Sequence, residues 1–248
     1  MKRPLPLLAA PLVLLASPAA LAAPEPARAD DLLGRPVALV VALALVSLLP
    51  FVFMSVTAFV KISTVLQITK SAIGAQNVPS STVVMALAAA LTLLAMAPVG
   101  EKITTRAAPL VRAKGMDTAE LVTRAIDAVK DPMREFLAAN ASDREKTRFF
   151  QVGRDARRDD ADKARVARDD ITILVPAFVT TELTEAFAIG FLIYLPFLVI
   201  DLVVANIMVA LGMQAMSPSG VSLPFKLLLF VVIDGWGLLA QSLVAGYR

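Results

Sequence analysis

The sequence predicts an all-α integral membrane protein, on three observations. Hydrophobic residues make up 57% of the 248 positions and charged residues only 18%. With a mean hydropathy of +0.72, this lies well outside the range of soluble domains. Four long apolar segments, near Val37 to Val60, Thr82 to Val99, Phe187 to Leu211 and Leu223 to Ala245, are each about long enough to span a bilayer as a helix at 1.5 Å per residue. The charges concentrate in a single stretch, residues 101–170.

The chain opens with "MKRPLPLLAAPLVLLASPAALAA", a basic start at Lys2 and Arg3, a short apolar core, a Ser17-Pro18 break and Ala20-Leu21-Ala22. This is the layout of a secretory signal peptide over residues 1–22, because the apolar core is too short to cross about 30 Å of hydrocarbon. Cleavage before Ala23 leaves a short acidic, Pro/Ala-rich segment, residues 23–36, outside the cytoplasmic membrane. An inner membrane protein of a Gram-negative type of cell is implied.

Residues 37–99 read as membrane and assembly helices joined by a loop at 61–81. That loop carries Lys61 and Lys70 and no acid, so the positive-inside bias places it in the cytoplasm. Residues 100–170 read as a charged periplasmic region, helical in "TAELVTRAIDAVKDPMREFLAA" and "SDREKTRFFQV". Its end, "FFQVGRDARRDDADKARVARDD", alternates its charges and holds few large apolar residues, which predicts a mobile exposed linker. Residues 171–248 read as helical hairpins.

Composition excludes much chemistry. Cys and His are both absent, which removes disulfides, thiol catalysis, imidazole or thiolate metal sites and every Ser/His or Cys/His pair. No phosphate-binding loop and no repeat of fixed period is present. A formal charge of +3 with one Trp and two Tyr offers no nucleic-acid surface. Most familiar enzyme chemistries are lost with Cys and His, and no cofactor or metal is expected.

The distinctive feature is a set of ionisable residues in apolar surroundings: Lys61, Glu182, Glu185, Asp201, Lys226 and Asp234. Facing lipid, each costs several kcal/mol, so such groups point to protein or water. Glu182 and Glu185 are three apart and share a helix face that suits a cation. Asp201 and Asp234 each lie about sixteen residues from the break at Ser217-Pro218, so a hairpin there sets them at similar depth. Three readings stay open for these acids. They meet Lys226 or another lysine in a structural contact, they form a proton- or ion-handling pair of a coupled transporter, or they act as an intramembrane aspartyl dyad.

The residues "VPAFVTTELTEAFAIGFLIYLPFLVIDLVVANIMVALGM" and "SPSGVSLPFKLLLFVVIDGWGLLAQSLV" closely resemble the carboxyl half of FliP/SctR proteins. The resemblance extends upstream through "LLPFVFMSVTAFVKISTVLQITKSAIGAQNVPSSTVVMALAAALTLLAMAPVG" and "PMREFL". "MAPVG" and "IYLPFLVIDLVVANIMVALGM" look more like the injectisome branch than the flagellar one. The resemblance implies a core subunit of a type III secretion export gate. In such a gate about five copies assemble with two smaller membrane proteins into a closed, helical cone through which unfolded protein substrates leave the cytoplasm. It implies that the buried charges serve subunit contact or channel lining, and that apolar segments pack partly against other subunits.

The family's loop after the first of these segments carries a methionine run that acts as a gasket on the closed pore, and Met213 and Met216 match it. Pro218 and Gly220 are expected to bend that loop, and Pro224 to open the next helix. The chain departs from the family at Gln214 and Ala215, where the methionine run is usually longer. It departs again at Glu185, where a basic residue is frequent, and at Lys70-Ser71, where Arg-Asn is usual.

Overall fold

The computed structural model describes residues 29–75, 79–112, 117–213 and 215–247, and these are helical, with no strand among them. The expected signal peptide, its cleavage point and the first part of the 23–36 segment lie outside the described residues, as does Gln214. Among the described residues ten helices follow one another: α1 (Ala29–Val56), α2 (Phe59–Ile73), α3 (Ser81–Ala95), α4 (Ala97–Arg112), α5 (Thr118–Asn140), α6 (Asp143–Asp155), α7 (Asp160–Ala164), α8 (Ile171–Ala210), α9 (Pro218–Val232) and α10 (Gly235–Ala245). The chain divides into two units at Ser47 and Leu48. The first contains the beginning of α1, and the second carries the core and every site discussed below.

The spans differ from the four simple helices expected. Among the described residues only α8 is by itself long and apolar enough to cross a membrane, and three further candidates are bent pairs: Val46–Val56 with Phe59–Ile73 (73°), Ser81–Ala95 with Ala97–Leu110 (53°), and Pro218–Val232 with Gly235–Ala245 (57°). Hydropathy averages over a break of one or two residues and so reads each pair as one rod. At the first break the Thr57 hydroxyl donates to the Phe53 carbonyl (2.7 Å) and accepts from the Phe59 N–H (3.4 Å), which satisfies backbone groups that the interrupted helix frees.

The expected loop at 61–81 is helical as far as Ile73. Ile62, Val65, Leu66, Thr69 and Ile73 are buried at helical spacing, so what resembled a basic loop is a packed helix with Lys61 inside it. It stops at Gly74, whose φ of +79° is the left-handed conformation that lets a helix end and glycine adopts at no steric cost. The turn then returns through Ser80, which caps α3 by accepting from the Val83 N–H at 3.3 Å.

The charged region is more ordered than a bare linker. The α4 and α5 helices lie antiparallel, held by Lys102 to Glu135 (2.9 Å) and by Arg106 to Asp131 and Glu135 (3.0 Å each). Ser142 caps α6, accepting from the Glu145 N–H (3.3 Å), and its own N–H donates to the Thr181 hydroxyl of α8 (3.0 Å). The expected linker at 149–170 contains the end of α6 and all of α7. Arg134 of α5 holds its far end, donating to the Asp169 carbonyl (2.6 Å) and carboxylate (2.5 Å). Short-range charge pairs explain why a stretch too polar to build a core still forms helical turns.

The axis of the fold is α8. Leu174, Ala177, Phe178, Thr181, Glu182, Ala186, Gly190 and Phe197 recur every three or four residues and are buried, so they form one stripe along the helix. On this stripe α2 lies parallel to α8. Lys61 meets Glu182 and Glu185, Ile68 meets Gly190, and Ala72 and Ile73 join the cluster of Phe197. A Cβ on Gly190 would stand 2.6 Å from Ile68, so this glycine is what lets the two helices approach. The α9 helix runs antiparallel on the far end of α8, with Phe230 and Phe197 rings 6.3 Å apart. Away from the stripe, Phe187, Phe191, Leu192, Val199 and Leu202 of α8 and Val231 and Val232 of α9 are exposed, an apolar surface that requires lipid or protein against it.

Candidate functional site

Two buried charge clusters and one loop gather the predicted residues. Lys61, on the first turn of α2, is 6% exposed and places its ammonium 2.8 Å from Glu185 and 3.1 Å from Glu182. The i, i+3 spacing read from the sequence therefore does present both carboxylates to one cation. It was not legible that the cation is Lys61, over a hundred residues upstream in what read as a loop.

Glu182 is fully buried, and an isolated carboxylate there would be untenable. One oxygen faces Lys61 without a hydrogen bond of good geometry, so its compensation is electrostatic. The other accepts the phenolic proton of Tyr247, whose oxygen also stands 3.2 Å from the Ala58 carbonyl at the α1–α2 break. The Tyr247 ring lies 4.5 Å from the Lys61 ammonium and 5.9 Å from the Phe136 ring. One aromatic side chain after α10 thus joins α2, α5 and α8. Tyr247 was not legible in the sequence, because nothing in its surroundings marks it.

In the second cluster Lys226 of α9, 5% exposed, donates to Asp201 of α8 at 2.6 Å and to the Ala72 carbonyl at 3.3 Å. Ser222, one turn before Lys226, donates to the other Asp201 oxygen at 2.6 Å. The Ala72 carbonyl belongs to the last turn of α2, where carbonyls lack helical partners and the helix dipole favours a cation. This cluster ties three helices and leaves Asp201 with two donors.

Asp234 stands apart from it. The partners of Asp201 are Ser222 and Lys226, and Asp234 occupies the hinge between α9 and α10 with φ 51° and ψ 50°. Asp is one of the few residues that adopts this left-handed conformation readily. Two glycines follow it for steric reasons: a Cβ on Gly235 would lie 2.2 Å from the Phe230 ring, and one on Gly237 would lie 2.4 Å from the Asp234 carboxylate. Equal distance from Ser217-Pro218 did not bring the two acids together, because α8 ends at Ala210 and α9 pairs with it about Gly212, which sets Asp201 beside Ser222 and Lys226. The signal that was available was Asp-Gly, a turn dipeptide inside an apolar run.

The loop between α8 and α9 is pinned at both ends. Gly212, at φ +74°, closes α8 with a paired cap, Met213 N–H to the Met208 carbonyl and Gly212 N–H to the Val209 carbonyl, both 3.0 Å. Met213 and Met216 follow, 40% and 52% exposed. Ser217 precedes Pro218, which occupies the first position of α9, where its missing N–H costs nothing. The expected roles of Gly220 and Pro224 are corrected here. Both lie inside α9, and neither bends the loop nor opens the helix. Pro224 crowds the carbonyl four residues earlier, and that residue is Gly220, around which there is open space.

Among the described residues no cluster of three or more acidic, His or Cys side chains could hold a metal. Bent apolar helices stitched by buried ion pairs, with a wide bare apolar surface, define an α-helical integral membrane protein. The chain belongs to the FliP family, whose model matches residues 42–243. The resemblance read in the sequence is thereby borne out.

Among similar proteins are the hypersensitivity response secretion protein HrcR of Ralstonia nicotianae, 45% identical, and the Yop proteins translocation protein R of Yersinia pestis, 41% identical. The first alignment covers 85% of this chain and 96% of that protein, and the second 84% and 95%. The virulence protein YscR of Salmonella typhimurium is 38% identical over 86% of this chain and 97% of its own length.

Proposed function

We propose that this chain is a channel subunit of a type III protein secretion export apparatus in the bacterial inner membrane, with part of the chain on the periplasmic side. It passes unfolded protein substrates out of the cytoplasm and performs no chemistry on them. About five copies assemble with two smaller export-gate membrane proteins, and the secretion and virulence names of its relatives favour the injectisome branch.

The observation that carries this reading is the pinned loop after α8. Two exposed methionines stand on a short turn between helices whose outer faces are apolar and bare, so copies of the chain have both surface to pack together and soft side chains to bring to a common axis. Methionine is unbranched and flexible, able to close on itself and yield to varied sequences. The coupled-transporter alternative gains no such support, because Asp201 is bonded to Ser222 and Lys226 while Asp234 occupies the α9–α10 hinge.

Replacing Met213 and Met216 together by Gly in the assembled complex tests the proposal. Assembly is expected to persist while the membrane becomes leaky to small ions in conductance recordings. Assembled variants as tight as the parent would refute the gasket.

A further inference from the structure

Charge on the apolar helices is nearly, but not fully, paired within one chain. Among the described residues from α2 through α3 and from α8 through α10 there are three cations, Lys61, Lys70 and Lys226, and four acids, Glu182, Glu185, Asp201 and Asp234. Lys61 serves Glu182 and Glu185, and Lys226 serves Asp201. One cation and one acid are left over.

Lys70 donates to the Ser81 hydroxyl at 2.9 Å and meets no carboxylate among the described residues. It is half-buried on the wall of an open cavity of about 630 Å³, and that wall holds no acid. Asp234 is exposed, caps no N–H of α10 with its side chain and meets no cation among the described residues. Val231, Val232 and Ile233 before it and Leu238 after it are exposed too, so its carboxylate sits in the bare apolar surface of α9 and α10. Whatever covers that surface must bring a cation, because a carboxylate covered by apolar groups alone is strongly destabilised.

We infer that the covering surface is a second copy of this chain, whose Lys70 pairs with Asp234. The charges are complementary, and each lacks an ion partner of its own. Their depths agree as well. The α2 helix runs parallel to α8 and α9 antiparallel to it. From the point where the Lys226 ammonium lies 3.9 Å from a Cβ built on Gly74, α2 traced back to Lys70 and α9 traced on to Asp234 therefore run the same way. At about 1.5 Å per residue Lys70 stands about 6 Å and Asp234 about 12 Å along that direction, and the difference of about 6 Å is within reach of a lysine's four-carbon stem. Copies turned about one axis keep residues of similar depth level with each other, and a contact between two different patches repeats head to tail from copy to copy. The pair fixes the register between copies, since opposite charges are accepted at that contact and like charges are not.

The inference rests on the proposed assembly of several copies, and the test reads the two separately. Native mass spectrometry of the complex extracted intact from membranes counts the copies. Carbodiimide joins an ammonium to a carboxylate in contact with it. It is expected to give a ladder of covalent multimers on denaturing gels, with an amide between Lys70 and Asp234 in the digested peptides. Lys70→Gln should remove that amide.

Lys70→Glu sets like charges against each other and should lower recovery of the oligomer about tenfold. Adding Asp234→Asn removes the opposing charge on a backbone that Asn also adopts, and it should restore the oligomer. A chain that had merely failed to fold would not be rescued in this way.

Several copies per complex with no amide between Lys70 and Asp234 would overturn the inference and leave the assembly standing. So would an amide confined to single chains, a Lys70→Glu variant that assembles as the parent does, or a loss in Lys70→Glu that Asp234→Asn does not relieve. A single copy per complex would overturn both.

Discussion

The Lys61 ammonium and the Glu182 carboxylate lie 3.1 Å apart, one 8% and the other 0% exposed at the side chain, and each is intelligible only because the other is there. Burying Glu182 without Lys61 leaves an uncompensated charge, at a cost of about 3–5 kcal/mol. Lys61→Met is thus expected to lower the thermal stability of the extracted protein sharply. Pairing it with Glu182→Gln should restore part of the loss, since the double variant buries no unpaired charge at that position. Additive losses, read from thermal unfolding of all three variants, would show that the two residues act separately.

Asp201 and Asp234 should respond differently to the same substitution. Asp201→Asn keeps its bond from Ser222 but strips the ion partner from buried Lys226, so loss of stability or of assembly is expected. Asp234→Asn should be mild, within about 0.5 kcal/mol, because Asn tolerates the left-handed backbone as well as Asp does. Asp234→Val should be worse than Asp234→Asn, a β-branched side chain being strained there. Co-purification of oligomer and thermal unfolding together read this ranking.

Two glycine-to-alanine variants separate close packing from helix propensity. Gly235→Ala places a methyl 2.2 Å from the Phe230 ring and should destabilise by about 1–3 kcal/mol. Gly100→Ala, inside α4 with nothing near its Cβ, should stabilise by about 0.5–1 kcal/mol. A melting comparison in one detergent decides both.

The α4–α5 contact should loosen in acid. The hydrogen bond from Lys102, its charge and the charge of Arg106 hold the Glu135 carboxyl below the usual range, and Lys146 does the same for Asp143. A carboxyl lowered by folding adds stability above its unfolded value and loses it as pH falls through the folded value. Proteolysis of the 101–170 region should therefore rise below the ordinary carboxyl range. Lys102→Gln should shrink that acid dependence, and high salt should too, since these pairs are exposed.

The helical class and the apolar character of the chain were legible because both are carried by composition and by runs of twenty residues or so. The bends were not, because they are made by one or two residues each: Thr57 at the first, Asp234 with Gly235 at the third. The acid pair at Glu182 and Glu185 was legible as a cation site through its spacing. Its cation was hidden, because α2 lies parallel to α8, and no local pattern announces a parallel pairing between helices so distant in sequence. The same distance concealed Tyr247. Lys226 was open to prediction as a partner of Asp201, since the two sit on the antiparallel arms of one hairpin.

The first buried cluster joins residues made at very different times. Tyr247 is 189 positions after Ala58 and 65 after Glu182. At the usual pace of about 5–20 residues per second, roughly 10–40 s separate the synthesis of the kink from that of the ring that completes it. The carboxylates that compensate Lys61, those of Glu182 and Glu185, lie 121 and 124 positions after it. The order of synthesis thus leaves α2, one of the first helices to be made, without its ion partners until α8 follows.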